Sequence, residues 1–279
     1  MENTLLKIRS MPDTFGRGER KIADWILKHP EELMELSISE LAAACGCGDA
    51  TVVRFSKKLG LSGYQALKIS IAQELGNSPT GGQSIHPEDS CMDIYTKHMN
   101  DIILTLEKTK TSLDPDALTG AAQALLHARS ILILGLGSSA PIAQDAMHKF
   151  IRAGLNACSC SDNHMQMILA SHLREGDVVL AISHSGSSID IVNALAYAHK
   201  NGATTISITN RGRSPIVKCS DYVLHTNADE TKYTILAMSS RIAQLAIIDT
   251  LYTHIVLHGG ETVAKAVQNT ESALENKKY

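Results

Sequence analysis

The sequence predicts two unlike parts in one chain: an all-α N-terminal domain, then an α/β domain whose parallel sheet is flanked by helices. Three observations carry this. Residues 1–76 show only helix-period apolar spacing and helix-end signals. The stretch GNSPTGGQSIHPED that follows is rich in Gly, Ser and Pro and has no periodicity, so it reads as a linker. From Ser130 onward, short apolar runs alternate with helical patterns over short connections, the pattern of a parallel sheet covered by helices. The boundaries predicted are 1–76 for the helical domain, 77–90 for the linker, 91–128 for connecting helices and 129–279 for the α/β domain.

At 279 residues the chain has room for two ordinary domains. It is 44% apolar and 20% charged, and with one Trp and three Phe its cores must be largely aliphatic. A net charge of −3 argues against a uniformly basic nucleic-acid binder but leaves room for a local basic face. The N-terminus has no apolar signal-peptide core. The longest apolar candidate, Ile242 to Leu257, is interrupted by Gln244, Asp249 and His254, so no membrane span and a cytoplasmic location are expected. Six cysteines include two C-x-C pairs, Cys45/Cys47 and Cys158/Cys160, with Cys91 and Cys219 apart. Neither pair has zinc-finger spacing or a matching His or Cys pair nearby, so reduced thiols, no metal and no cofactor are expected.

In the first part, Arg17 to Lys28 places Ile22, Ala23, Ile26 and Leu27 on one face, and Pro30 closes the helix. Glu31 to Leu36 is a short piece. Ser39 is a candidate cap for a short helix, Gly46 supplies a turn, and Asp49 is a candidate cap for a second helix ending at Gly60. Two short helices joined by a tight Gly-containing turn match the helix-turn-helix unit. Val52, Val53, Phe55 and Leu59 pack inward on this reading, while Thr51, Arg54, Lys57 and Lys58 face out. Between Ala50 and Gln73 there are four basic residues and no acid, against six basic and nine acidic residues in positions 1–49. Positive charge is thus concentrated where a recognition helix meets phosphates. Asp49, Thr51, Arg54, Lys57 and Lys58 are the candidate DNA-binding residues, although any solvated helix face has a similar composition.

Helices follow at Met92 to Leu106 and Ala117 to Ala128, suited to connect domains or to pack across a dimer. In the second part, Ile131 to Leu134 is a buried strand, Gly135 to Ser139 a Gly/Ser turn, and Ala140 to Ala153 a helix with Pro141 in its first turn. Asn156 to Ser159 is a strand and His164 to His172 a helix. Val178 to Ile182 is a strand and Ile189 to Lys200 a helix. Thr204 to Ile208 is a strand, a short helix lies near Pro215 to Lys218, and Asp221 to His225 is the last strand. Met238 to about Leu257 is a helix apolar on more than one face, for a core or a dimer.

The run Asp177 to Ile182 is continuously apolar after its first residue and passes into Ser183-His184-Ser185-Gly186-Ser187-Ser188 just before a helix. Hydroxyls, backbone N–H groups and a helix dipole converge there, which suits a small phosphate monoester. No GxxxxGK[ST] is present, so this is not a nucleotide P-loop. Ser and Gly also make ordinary turns. A second such loop, Gly137-Ser138-Ser139, at another strand end strengthens the binding reading. Gly135-x-Gly137 with Ala140 in the third position keeps a weak dinucleotide-binding alternative, but no acidic residue closes the next strand.

Thr51-Val52-Val53-Arg54-Phe55, Lys57-Lys58-Leu59-Gly60, Gly63-Tyr64 and Leu67-Lys68 together resemble the N-terminal domain of RpiR-type bacterial transcriptional regulators, which join it to a sugar-isomerase-type (SIS) phosphosugar-binding domain. Ala181-Ile182-Ser183-His184-Ser185-Gly186 with Ser187-Ser188 is similar to the SIS phosphate loop, although many SIS domains carry Glu-Thr or Arg-Thr at that last pair. The resemblance implies a bound sugar phosphate on Ser183, Ser185 and Ser188, with Ser138 and Ser139 contributing. It also places Asp162-Asn163-His164, Glu230, Ser239 and Arg241 near the sugar. The expected partners are operator DNA, a sugar-phosphate effector and a second copy of the chain. A sugar-phosphate isomerase or lyase on the same fold is the alternative. It would need a general base such as Glu230, His184 or His164, and the helix-turn-helix with its basic face favours the regulator, without enzymatic turnover.

Overall fold

A computed structural model describes residues 4–10, 14–30, 32–34, 36–75, 85–228 and 238–275. These fall into two compact units, one made mostly of residues up to Thr105 and the other mostly of residues from Leu106 on. Most of the expected linker and Glu230 lie outside the described residues.

The first unit contains α1 (Thr4–Ser10), α2 (Arg17–Lys28), a 3₁₀ turn at Glu32–Met34, α3 (Ile38–Ala44), α4 (Asp49–Lys58) and α5 (Tyr64–Leu75). Ile22 and Ile26 of α2, Leu41 of α3, Val52 and Phe55 of α4, and Leu67 and Ile71 of α5 form one buried core. Phe15 lies against Phe55 with ring centroids 5.1 Å apart. Two cap assignments read from sequence are corrected. Ser37, not Ser39, caps α3, because Ser37 and Glu40 form a reciprocal box: the Glu40 N–H donates to Ser37 Oγ (3.3 Å) and the Ser37 N–H to Glu40 Oε2 (2.8 Å). Gly48, not Asp49, is the N-cap of α4, and Asp49 is its first helical residue. The Ser39 hydroxyl instead donates to Asp49 Oδ2 at 2.8 Å, tying the two helices together. The predicted end at Gly60 holds: the Gly60 N–H reaches Lys57 O (2.9 Å) and the Leu61 N–H reaches Ser56 O (3.0 Å).

α6 (Cys91–Ser112) runs further than its apolar spacing suggested. Thr109 is buried in its extension, and its Oγ1 accepts the Asn227 N–H at 3.0 Å. After α7 (Pro115–Leu126), the second unit alternates β1 (Ser130–Gly135), α8 (Ala140–Arg152), β2 (Ala157–Cys160), α9 (Asn163–Ser171), β3 (Asp177–Ile182), α10 (Ile189–Lys200), β4 (Thr204–Asn210), a 3₁₀ turn at Pro215–Cys219 and β5 (Tyr222–Thr226). α11 (Met238–His258) and α12 (Gly260–Glu275) close the chain. Neither α1 nor α12 was predicted from the sequence; α12 buries Val263 and packs Val267 against the same core.

All strand pairings are parallel, in the order β2-β1-β3-β4-β5. Alternate residues serve opposite faces. Ile131 and Ile133 of β1 join α7, α8 and α11 in one core, while Leu132 and Leu134 join α9 and α10 in another. Among the described residues no helix is long and apolar enough to cross a membrane.

Candidate functional site

The strand order reverses between β1 and β3. β1 leads through α8 to β2 on one side, and β3 leads through α10 to β4 on the other. The two connections therefore diverge and open a crevice at the carboxyl edge, where α/β sheets of this order hold ligands. Gly135 and Ile182, the last residues of β1 and β3, are direct partners. The predicted loops Gly137–Ser139 and Ser183–Ser188 thus leave neighbouring strands at the crevice.

Sterics shape the first loop. A Cβ on Gly135 would lie 2.7 Å from the Ser139 carbonyl oxygen, so only glycine lets the chain fold back this tightly. The Ser139 N–H donates to Leu136 O at 3.1 Å. Ser139 is buried, and Gly137 and Ser138 stand exposed at the rim. Gln166, fully buried on α9, fixes the neighbouring strand ends: its Nε2 donates to Gly135 O (3.1 Å) and Cys160 O (2.6 Å). Sequence reasoning passed over Gln166; its only signal is an amide within an otherwise apolar stretch. Asp162 caps α9 by accepting the Met165 N–H at 2.8 Å.

The second loop is closed by its own bonds. Gly186 takes φ +60, a left-handed conformation that glycine adopts without steric cost. Its N–H donates to Ser183 O (3.1 Å) and its carbonyl accepts the Ile216 N–H (3.0 Å). The Ser187 N–H donates to Ser185 Oγ (3.3 Å) and the Ser187 hydroxyl to Ser185 O (3.2 Å). Gly186 and Ser187 therefore spend their donors on the turn rather than offering them to an anion. The His184 carbonyl accepts the Asn210 N–H (2.9 Å) and the Thr209 hydroxyl (3.3 Å), pinning the loop to β4.

What remains available is hydroxyl. Among the described residues, none is hydrogen-bonded to the hydroxyl of Ser138, Ser139, Ser183 or Ser188. Ser188 is the N-cap of α10 yet makes no side-chain cap bond. The Ser185 oxygen accepts from Ser187, which leaves its proton free to donate outward. The first-turn N–H groups of α10 have no intrahelical acceptor. Neither loop contains Lys or Arg. The result is a neutral, donor-rich cup at a helix start, suited to an anion that brings its own charge. Ser239 is buried and Arg241 half-buried at the start of α11.

On α4, Arg54 and Lys57 are exposed, and Thr51, half-buried, accepts from Arg54 Nη2 at 3.4 Å. Lys58 differs. Its Nζ bonds Glu19 Oε2 at 2.9 Å and the Thr14 carbonyl. The Lys58 bond, followed by the Gly16 N–H, holds the Glu19 carboxyl below the ordinary glutamate range.

Residues 2–78 match the family model "Helix-turn-helix domain, rpiR family", and residues 124–254 match "SIS domain". A relative from Caldanaerobacter subterraneus subsp. tengcongensis, an uncharacterized HTH-type transcriptional regulator, is 38% identical over 100% of this chain and 99% of its own length. The chain belongs to the RpiR family of transcriptional regulators. The HTH-type transcriptional regulator HexR of Pseudomonas aeruginosa is 34% identical over 100% of this chain and 98% of its own length. Among solved structures, the Vibrio vulnificus NanR protein complexed with ManNAc-6P superposes with a TM-score of 0.81 at 25% identity, covering 99% of each chain. The relatives are named as transcriptional regulators rather than enzymes, which makes this chain a regulator; the likeness of its SIS domain to a "putative sugar-phosphate isomerase" from Listeria monocytogenes, with a TM-score of 0.51 at 19% identity over 61% of this chain and 95% of the other, is one of fold alone.

Proposed function

We propose that the SIS domain binds a sugar phosphate between its two serine loops and that occupancy there controls how tightly the helix-turn-helix holds operator DNA. The observation that carries this is the pairing of two Gly/Ser loops at the reversal between β1 and β3, one of them opening α10 with an uncommitted N-cap hydroxyl. Ser138, Ser139, Ser183, Ser185 and Ser188 donate to the phosphate, and the α10 dipole adds to them. The ManNAc-6P held by the NanR neighbour supports a phosphosugar as the ligand class. Residues 1–76 then form the DNA-binding domain, 77–90 the linker, 91–128 the connecting helices and 129–279 the effector domain. Arg54, with Thr51 beside it, reads bases or phosphates, and Lys57 contacts phosphate. The regulator works in the cytoplasm as a homodimer or larger assembly, on a near-palindromic operator whose half-sites are one helical turn or a multiple apart. Met92, Tyr95, Met99 and Ile103, exposed along one face of α6, support self-association.

The test is a fluorescence-anisotropy titration of double-stranded DNA from the regulator's own upstream region, run with a panel of hexose and aminosugar phosphates. One phosphosugar shifts the wild-type operator affinity. Ser185→Ala needs about 10- to 100-fold more of it, because a hydrogen bond to a charged group contributes roughly 1.5–3 kcal/mol. Effector-free DNA binding stays the same. If no phosphosugar changes wild-type operator affinity, the reading is wrong.

A further inference from the structure

α11 carries one residue that its packing does not explain. Its buried stripe runs through Gln244, Ile247, Ile248, Leu251 and Ile255, and every member after Gln244 is Ile or Leu. Gln244 is 0% exposed, and both its Oε1 and Nε2 lack any hydrogen-bond partner. Buried amides in folded proteins are paired with few exceptions, so an amide left with neither atom satisfied calls for a partner that completes it.

The topology locates that partner. The late part of α11 sits at the amino edge of the sheet. His254 meets Gln123, in the last turn of α7 just before β1, and Asp249 pairs with Lys149 (2.6 Å) in the last turns of α8, which runs back from the carboxyl edge. α11 therefore runs against the strands. Gln244 precedes His254 by ten residues, a rise of about 15 Å. The six residues of β1 span about 17 Å. Gln244 is accordingly level with the strand ends from which both serine loops leave. Its stripe faces the sheet, because Ile247 and Ile248 share a core with Ile182, the last residue of β3, and Ile208, near the end of β4.

We infer that Gln244 is the specificity residue for the sugar moiety of the effector, its amide donating to and accepting from a hydroxyl or acylamino group while the serine loops hold the phosphate. This rests on the phosphosugar reading above and adds to it the group that separates one sugar from another. A site built to hydrogen-bond a polar group rejects ligands that lack it, because the amide is then left buried and unpaired.

The experiment uses the full chain and three probes: N-acetylmannosamine 6-phosphate, glucose 6-phosphate and glycerol 3-phosphate, which keeps the phosphate and lacks the ring. Calorimetry gives affinities and thermal melts give Tm for wild type, Gln244→Met, Gln244→Leu and Ser185→Ala. Gln244→Met should weaken whichever hexose phosphate binds wild type by tenfold or more. It should leave glycerol 3-phosphate within twofold, with Tm equal or higher. Gln244→Leu, which continues the Ile/Leu stripe, should do the same and covers a Met that packs poorly. A residue with a purely structural role would lower Tm and leave discrimination unchanged, and that result overturns the inference. If Ser185→Ala weakens all three probes while both Gln244 variants weaken none, this inference alone fails. If neither these probes nor any other member of the hexose and aminosugar phosphate panel binds wild type, the phosphosugar reading and this one fall together.

Discussion

Ser188 separates a structural serine from a binding one. An N-cap Ser normally accepts an N–H from the first helical turn, and its replacement by Ala costs about 1 kcal/mol. Ser188 makes no such bond, so Ser188→Ala should cost α10 little stability. Asp162, the N-cap of α9, accepts the Met165 N–H at 2.8 Å and serves as the control. Asp162→Ala should lower Tm by about 2–4 °C, the shift expected for roughly 1 kcal/mol in a unit of this size. The Ser188 melt should stay within about 1 °C of wild type on the same scale. Effector binding should show the reverse order. Ser188→Ala removes the hydroxyl donor proposed for the phosphate, a bond of roughly 1.5–3 kcal/mol, and should weaken the phosphosugar by about 10- to 100-fold. Differential scanning fluorimetry and calorimetry on the same preparations read both quantities. A Ser188→Ala protein that melts as low as Asp162→Ala and binds effector as tightly as wild type would refute the argument, since its hydroxyl would then be an ordinary cap.

Two further outcomes test the DNA-binding face. Arg54→Ala should lower operator affinity in gel-shift titrations, and Lys57→Ala should weaken all sequences alike and flatten the log–log salt slope by about 0.9, the value for one lost phosphate contact. Glu19 makes a pH prediction: its carboxyl sits below the ordinary glutamate value of about 4.5 when folded, so its pairing with Lys58 stabilises the first unit fully above about pH 4.5 and is lost as pH falls through the lowered value. Glu19→Gln should flatten that acid limb in circular-dichroism titrations, and an unchanged limb would show that the Lys58 contact has no bearing on stability.

Strands and loops were legible because their signals are local. Ile131–Leu134 and Val178–Ile182 are unbroken apolar runs, as strands buried on both faces must be, and the Ser/Gly turns follow at once. The helix-turn-helix was legible for the same reason. What escaped the sequence depends on which of two similar groups finds a partner in space. Ser37 and Ser39 are both plausible caps, and only the reach to Glu40 decides between them. Lys57 and Lys58 read alike, yet Glu19, distant in sequence, engages only Lys58. Gly186 and Ser187 look like anion donors until the turn consumes their N–H groups. Gln244 reads as a break in an apolar run, and its meaning emerges only when the rest of its stripe is seen against the sheet.

The absence of Lys and Arg from both loops bears on what kind of sensor the proposed site would make. A lysine in the cup would bind phosphate in general, inorganic phosphate included, through a charge that any phosphorylated metabolite satisfies. Hydroxyls and helix N–H groups instead bind by geometry, each bond counting only if the phosphate oxygen sits where the donor aims. Such a site is weaker per contact, and its selectivity passes to whatever positions the rest of the ligand. Affinity and coupling then become separable. Loop variants such as Ser188→Ala shift the effector concentration at half-response. The full effect on the operator at saturation stays the same, because that plateau measures only the difference in effector affinity between DNA-bound and free protein. Reciprocity adds a constraint: whatever factor the effector applies to operator affinity, operator DNA must apply to effector affinity. A loop variant that moves the midpoint and leaves the plateau intact places the serines in binding, and one that lowers the plateau as well places them in the conformational change itself.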